Sequence, residues 1–490
     1  MHVSDEDIAF LSLRELGALL RSGHLSAVEL ARMYLTRLDG LGRQLNLVVT
    51  VTDDVAFREA ALADAELKAG LDRGPLHGIP YGLKDIVAAV GSPTTWGAEP
   101  FKQQSFAYEA TVTKKLRDAG AILAGKLATI EIAGGMGYDN PAASLTGAAA
   151  NPWNPNYWTS GSSSGPAGAV AAGLVPFAIG SDTSGSILFP AAFTGTAGLR
   201  ATYGRVSRFG AMTLCWTLDR LGPMCRTADD CGLVLEAIAG HDPQDPSSLT
   251  QEYRYSGDSR RTHGFRIGVI EGACAGAEPE VQANFEDSIK LLEDLGTVEE
   301  VALPELPYAE VAQIISAAEA YAAFDDFIAA GRTIKLTARK AHGYRLAGAV
   351  LPAHDYIRAQ RIRRIIADSF ADLAGRYDAL VAPSLGMVAC RADEDFEYGL
   401  PRASGRPLNL AGVLSGTPTI SILNGFGQEG LPTGIQFAGA AMRENSILDA
   451  STALEERMGL WRRRPNLDRL EPQAGGAGHV QRQQEKGMNS

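Results

Sequence analysis

The chain has 490 residues, 45% hydrophobic and 21% charged, the proportions of a globular protein long enough for two or three ordinary domains or one large one. A formal net charge of −12 disfavours a nucleic-acid-binding face, and the short basic clusters at Arg361, Arg363 and Arg364 and at Arg462 to Arg464 read as solvated helix faces. Five cysteines without CxxC spacing argue against a disulfide framework and against structural zinc. No apolar run is long enough for a membrane span, and the acidic start Met1 to Asp7 lacks the features of a secretory signal, so a cytoplasmic protein is expected.

In chain order, the first 70 residues read as helical. Leu13, Leu16, Leu19 and Leu20 recur at helical spacing, as do Val28, Leu30, Met33, Leu35 and Leu38, and Ser26 with Glu29 forms a capping pattern before the second run. Residues 74–85 are a turn-rich entry into a short apolar strand, and Ala121 to Gly125 is a buried strand after a helix over Val112 to Ala119. From Thr159 to Gly210 the composition turns to Gly, Ser, Ala and Thr. Such richness alone would suggest a linker. The apolar stretches inside it argue for core instead: a small-residue helix over Ala167 to Ala172 and a buried strand over Leu174 to Ile179. Further strands are expected at Phe265 to Ile270, followed by a helix over Val281 to Leu295, and at Ala379 to Pro383, Pro418 to Ile422 and Gly434 to Phe437. Alternating strands and helices predict an α/β fold around one large mixed sheet flanked by helices on both faces. The Gly/Gln-rich end over 471–490 reads as a disordered tail.

Two serine clusters carry the chemical signal, Gly161-Ser162-Ser163-Ser164-Gly165 and Gly180-Ser181-Asp182-Thr183-Ser184-Gly185-Ser186. Serine hydroxyls in Gly-rich loops are accessible, and loop amides over 183–186 are positioned to serve as an oxyanion hole. A serine nucleophile needs a base. The histidines lie in segments without catalytic context, and no GxSxG elbow occurs. Lys84, in the apolar run after Tyr81-Gly82-Leu83, is the better candidate, because desolvation leaves an amine able to accept a proton.

Together with residues 78–85, these clusters resemble the amidase signature family. Further similar segments run in family order from about residue 8 to 456, among them Asn151-Pro152-Trp153-Asn154, Tyr203-Gly204-Arg205-Val206, Leu218-Asp219 with Gly222-Pro223, Asn409-Leu410-Ala411-Gly412, and Leu431-Pro432-Thr433-Gly434. The resemblance implies a serine hydrolase for amide, anilide or carbamate C–N bonds, with possible ester cleavage and with the glutaminase subunit of a tRNA-dependent amidotransferase as the alternative. By the same resemblance Ser186 is the nucleophile, Ser162 the bridging serine following a cis peptide bond, and Lys84 the ultimate base. Ser163 supports them as a donor, Asp182 is structural, and the N–H groups of Thr183, Ser184, Gly185 and Ser186 hold the oxyanion. Gly135, Met136 and Arg205 are expected on the substrate side. No metal or cofactor is implied; the expected partner is a small-molecule amide or carbamate, with no nucleic acid or membrane, and the chain is a monomer or homodimer. Residues 1–70 then form a helical segment packed on a catalytic core at 71–240, and 241–470 complete the sheet and pocket. Two positions depart from the family pattern, Ser184 where glycine is usual and Leu188 where arginine is common.

Overall fold

The strands that lead into the candidate residues are apolar runs up to those residues, which requires a sheet covered on both faces. In the computed structural model, which describes residues 4–343, 346–395 and 406–467, that sheet has eleven strands. In chain order the strands are β1 (Val48–Val51), β2 (Pro80–Lys84), β3 (Ile122–Leu127), the small two-stranded ribbon β4 (Ala150–Asn151) and β5 (Asn154–Trp158), and β6 (Phe177–Asp182). They continue with β7 (Ala197–Arg200), β8 (Arg220–Cys225), β9 (Phe265–Ile270), β10 (Gly296–Val301), β11 (Ala379–Pro383), β12 (Thr419–Phe426) and β13 (Pro432–Ala438).

The main sheet runs β1-β3-β2-β6-β8-β7-β12-β13-β11-β9-β10. It is mixed. β3, β2 and β6 are parallel neighbours, as are β11, β9 and β10, and the pairings between these groups are antiparallel. Every residue of β2, β3, β6, β8, β11 and β13 is buried, whereas the edge strand β10 alternates between exposed and partly covered positions. The helical reading of the first 70 residues holds for Leu13–Arg21, Ala27–Arg37 and Asp53–Lys68, with capping boxes at Ser12/Glu15 and Ser26/Glu29. It misses β1, a four-residue edge strand paired with β3, too short to show a period in sequence. The tail expected at 471–490 lies outside the described residues.

The Gly/Ser/Ala stretch is core. The helix Ser164–Ala171 is buried at every residue and packs on the central strands β6, β2 and β8. Its small side chains permit that approach: a Cβ on Gly165 would lie 2.3 Å from the backbone nitrogen of Ala128 at the end of β3. Backbone cannot yield as a flexible side chain does. Gly165→Ala is therefore expected to cost ~1–3 kcal/mol or more through overpacking, read as a lower denaturation midpoint, whereas Ala at exposed Gly40, with open space around its Cβ position, should change little.

Candidate active site

Lys84 is the last residue of β2, and β2 lies between β3 and β6, so its side chain emerges in the middle of a covered sheet. It is completely buried. The Nζ lies 2.8 Å from Ser162 Oγ, 3.0 Å from Ser163 Oγ and 2.8 Å from Ser181 Oγ. Burial lowers its pKa from the ordinary lysine value to about 7, against the opposing pull of Asp182 and Asp219.

Ser162 and Ser163 sit just before the helix Ser164–Ala171, and the Gly161–Ser162 peptide is cis. Ser163 Oγ donates to the Ser181 carbonyl at 3.1 Å and accepts the Ser181 N–H at 3.2 Å. Its single proton is thus committed, so it meets Lys84 as an acceptor rather than as the donor expected from the sequence. A neutral Lys84 has two donors and one lone pair. With Ser163 accepting, the lone pair faces Ser162 or Ser181.

Ser186 follows the end of β6 in a partly open loop, and its carbonyl accepts the Ser163 N–H at 3.3 Å, joining the two serine clusters. Among the described residues the Ser186 hydroxyl makes no hydrogen bond, so the contact to Ser162 is not closed in this resting arrangement. The loop itself is fixed by Asp182, whose two carboxylate oxygens each accept a backbone N–H at 2.8 Å, from Gly185 and from Ile187. This corrects one expectation. The Gly185 N–H points back at the buried Asp182 carboxylate and is not available for an oxyanion. Gly185 has φ +128°, a conformation that favours glycine, and a Cβ there would lie 2.4 Å from the Phe189 ring.

The substitutions at 184 and 188 are both accommodated. Ser184 is exposed, with its carbonyl accepting Asn409 Nδ2 at 2.9 Å, and Leu188 is buried against Ala167, Ala191 and Met224. Asp182 is in turn paired with buried Arg200 at 3.2 Å, and Arg200 donates to Asn409 Oδ1 at 2.6 Å. The helix Arg406–Ser415, which carries Asn409, is thereby connected to the serine loop.

A cavity of about 210 Å³ adjoins this network, with Ser181 and Thr183 in its lining. Its apolar lining includes Ile86, Ala133, Phe209, Met212, Leu214 and Trp216. Arg208 also lines it, stacked between Tyr203 and Trp216 with its carbon Cζ 4.9 and 5.2 Å from the ring centres, and donating to Ser247 Oγ at 2.7 Å. Arg220, another wall residue, donates to the carbonyls of Val413 and Thr417 at 2.7 and 3.1 Å. Asp219, in the same wall, is half-buried, and desolvation pushes its carboxyl up to about 6.

The substrate-side expectations fare differently. Arg205 does not face the cavity. It is 1% exposed and forks onto buried Glu444 at 3.2 and 3.3 Å while donating to the Gln251 carbonyl at 3.0 Å. It ties the segment after β7 to the C-terminal helix Glu444–Met458, a structural ion pair rather than a substrate-side residue. Met136 is buried at 1% and outside the cavity lining, and Gly135 packs directly under Leu214, where a Cβ would lie 1.9 Å from Leu214 Cδ1. In that segment it is Ala133 that reaches the cavity. Ser181, Asp219 and Asn409 belong to the site, although the sequence reading does not single them out as site residues. Ser181 had a local signal, since it alternates with Ile179 on a buried strand beside Asp182. Asp219 and Asn409 had only their positions in family-like segments.

The amidase family model matches residues 29–448. The chain belongs to the amidase family. A glutamyl-tRNA(Gln) amidotransferase subunit from Moorella thermoacetica is 35% identical over 493 residues, covering 94% of this chain and 99% of the relative. The peptide amidase of Stenotrophomonas maltophilia is 32% identical with a TM-score of 0.83, covering 93% of this chain and 98% of that one. A bacterial aryl acylamidase of the amidase signature enzymes shares the fold, with a TM-score of 0.80 over 92% of this chain and 97% of its own, at 24% identity. The amidase-family protein is thus a hydrolase of amide C–N bonds. Among the described residues no cluster suited to a metal ion occurs, and no helix is long and apolar enough to cross a membrane.

The placement of Arg205 can be checked directly. Arg205→Lys keeps the charge but loses the fork onto Glu444, so a stability loss of ~1–3 kcal/mol is expected from weakened charge-assisted bonds. KM for any amide substrate should stay within about twofold, since the residue lies outside the cavity.

Proposed function

We propose that the chain is a metal-independent serine amidase that forms an acyl-enzyme on Ser186, with Ser162 and Lys84 relaying the proton. The observation that carries this reading is the fully buried Lys84 amine, poised at a pKa of about 7 and 2.8 Å from Ser162 Oγ. An ammonium in ordinary solvent would be no base near neutrality; this one is half neutral there. Ser186 Oγ attacks the amide carbonyl as its proton passes to Ser162, and the Ser162 proton passes to the Lys84 lone pair. The carbonyl oxygen becomes an oxyanion facing the N–H groups of the loop before Ser186. The relay then runs in reverse and protonates the leaving nitrogen. Water deacylates the ester by the same path, restoring the Ser186 hydroxyl.

The cavity favours a neutral, largely apolar acyl group, as in an aryl or alkyl amide, anilide or carbamate. Its wall is mostly apolar, and its two arginines are already engaged by protein groups: Arg208 by Ser247 and its aromatic neighbours, Arg220 by carbonyls at the end of the helix Arg406–Ser415. The second reading is a glutaminase working in a complex. It is favoured by the 35% identity, along almost the whole chain, to a glutamyl-tRNA(Gln) amidotransferase subunit. Glutamine presents a carboxylate and an ammonium, and the engaged arginines leave the first without an obvious partner. The purified chain alone should therefore hydrolyse p-nitroanilides or aryl carbamates faster than free glutamine; glutamine turnover that emerges only with added partner proteins would favour the second reading.

The mechanism makes two further demands. Ser186→Ala should lower kcat by about 10³-fold or more, with a chelator leaving the wild type unaffected. Because Lys84 acts as a base, kcat/KM should rise about tenfold per pH unit below the Lys84 pKa of about 7 and level off above it. A profile flat from about pH 5 to 8 would remove Lys84 from the role of base.

A further inference from the structure

The cavity wall and the loop bearing Ser186 come from different stretches of chain, and one carboxylate joins them. Asp219 Oδ1 accepts the Thr183 hydroxyl at 2.7 Å. Asp219 Oδ2 accepts the N–H groups of Leu214 and Cys215 at 2.7 and 2.8 Å. Thr183 is the first residue after β6 and opens the loop that ends at Ser186, while Leu214 lines the cavity. From outside, Glu319 on the helix Tyr308–Ala323 accepts the Thr217 N–H and hydroxyl, each at 2.8 Å, so the wall segment is gripped on both sides. The downstream part of the serine loop is held separately, by Asp182 on the N–H groups of Gly185 and Ile187.

We propose that Asp219 is a positioning residue for acyl transfer: through the Thr183 hydroxyl it sets the upstream end of the oxyanion loop in register with the wall that receives the acyl group. This rests on the reading of Ser186 as nucleophile. The physical case is one of geometry. Backbone donors stabilise a developing oxyanion only when aimed at its final position, and displacements on the order of 1 Å cost about 100-fold in rate. Both oxygens of Asp219 are in use, and they fix two loops to one rigid group at the start of β8. Thr183 supplies the side chain upstream of Ser184 that reaches across to that group. Removing its hydroxyl frees the loop without opening the wall, because the bonds from Leu214 and Cys215 remain.

The test uses the full chain with Thr183→Val, Thr183→Ser, Asp219→Asn, the Thr183→Val/Asp219→Asn double variant and Ser186→Ala. The first readout is the rate at which a fluorophosphonate labels Ser186, followed by intact mass; the Oγ–P bond forms, the P–F bond breaks, fluoride leaves and the serine proton goes to the relay. The second readout is kcat and KM for the anilide hydrolysed fastest. Thr183→Val should slow labelling and kcat by about 10- to 100-fold, with KM within about threefold. Thr183→Ser should recover most of that loss. The double variant should be no slower than Asp219→Asn, because both changes act through one contact. Labelling of Thr183→Val at the wild-type rate, a loss confined to KM, or additive losses in the double variant would overturn the positioning role. Turnover or probe uptake retained by Ser186→Ala would instead overturn the nucleophile reading.

Discussion

The arrangement depends on keeping a primary amine inside a sheet without a carboxylate beside it. Taking an ammonium out of water costs several kcal/mol after relaxation, and Lys84 has no exposed surface at all. The protein answers with three hydroxyls instead of an acid, each within 3.0 Å. Neutral hydroxyls satisfy the amine in either protonation state but stabilise its charge weakly, which leaves it near the point of losing a proton. Lys126 provides the internal contrast. It stands on the adjacent strand β3, one register position away from Lys84, and is equally buried. There Asp85 lies 2.9 Å away and opposes the effect of burial. Two buried lysines thus differ in their partners, a carboxylate for Lys126 and three hydroxyls for Lys84.

That requirement propagates into the composition of the core. Hydroxyls can surround Lys84 only if two serine loops come down onto the same end of β2 and β6. Larger side chains in the helix Ser164–Ala171 would hold those loops apart, as the Gly165 contact with Ala128 shows. The Gly/Ser/Ala richness that resembles a linker in composition is therefore the packing solution for a polar centre in an apolar sheet. Ser163 illustrates the economy of the result: one hydroxyl donates to the Ser181 carbonyl, accepts the Ser181 N–H and accepts from Lys84.

Much of this was legible in sequence, and the remainder was not for identifiable reasons. The buried strands and the small-residue helix were readable because burial on both faces yields unbroken apolar or small-residue runs. Lys84 stood out as a lone cation in such a run. β1 leaves no trace in sequence, because four residues at a sheet edge carry no period. The place of Arg205 is not legible, because an arginine after a strand looks alike in sequence whether it meets substrate or Glu444, 239 positions away. The direction of the Gly185 N–H is not legible, because loop amides have no sequence signature of direction; only the placement of Asp182 shows which N–H turns inward. The cavity wall around Leu214 to Asp219 is built by contacts to Thr183 and Glu319, both remote in sequence, so no local pattern announces how it is held.

Those remote contacts bear on how the site meets its substrate. The strand-borne group, Lys84 with Ser181, is held by ladder pairing and has little freedom to adjust. The loop-borne groups are held by carboxylates: Asp182 fixes the Ser186 loop, and Asp219 joins it to the cavity wall. A carboxylate accepting two or three fixed N–H or O–H donors is a rigid joint, because each bond has its own preferred direction. Rigid joints allow the loops to be arranged before substrate arrives, so that no reorganisation is needed as charge develops. The cavity, by contrast, is lined by side chains whose identity none of these joints depends on, such as Phe209, Met212 and Trp216. Its shape can therefore change by side-chain replacement while the hydroxyls around Lys84 and the Ser186 loop keep their geometry, which separates the fixed part of the site from the variable part.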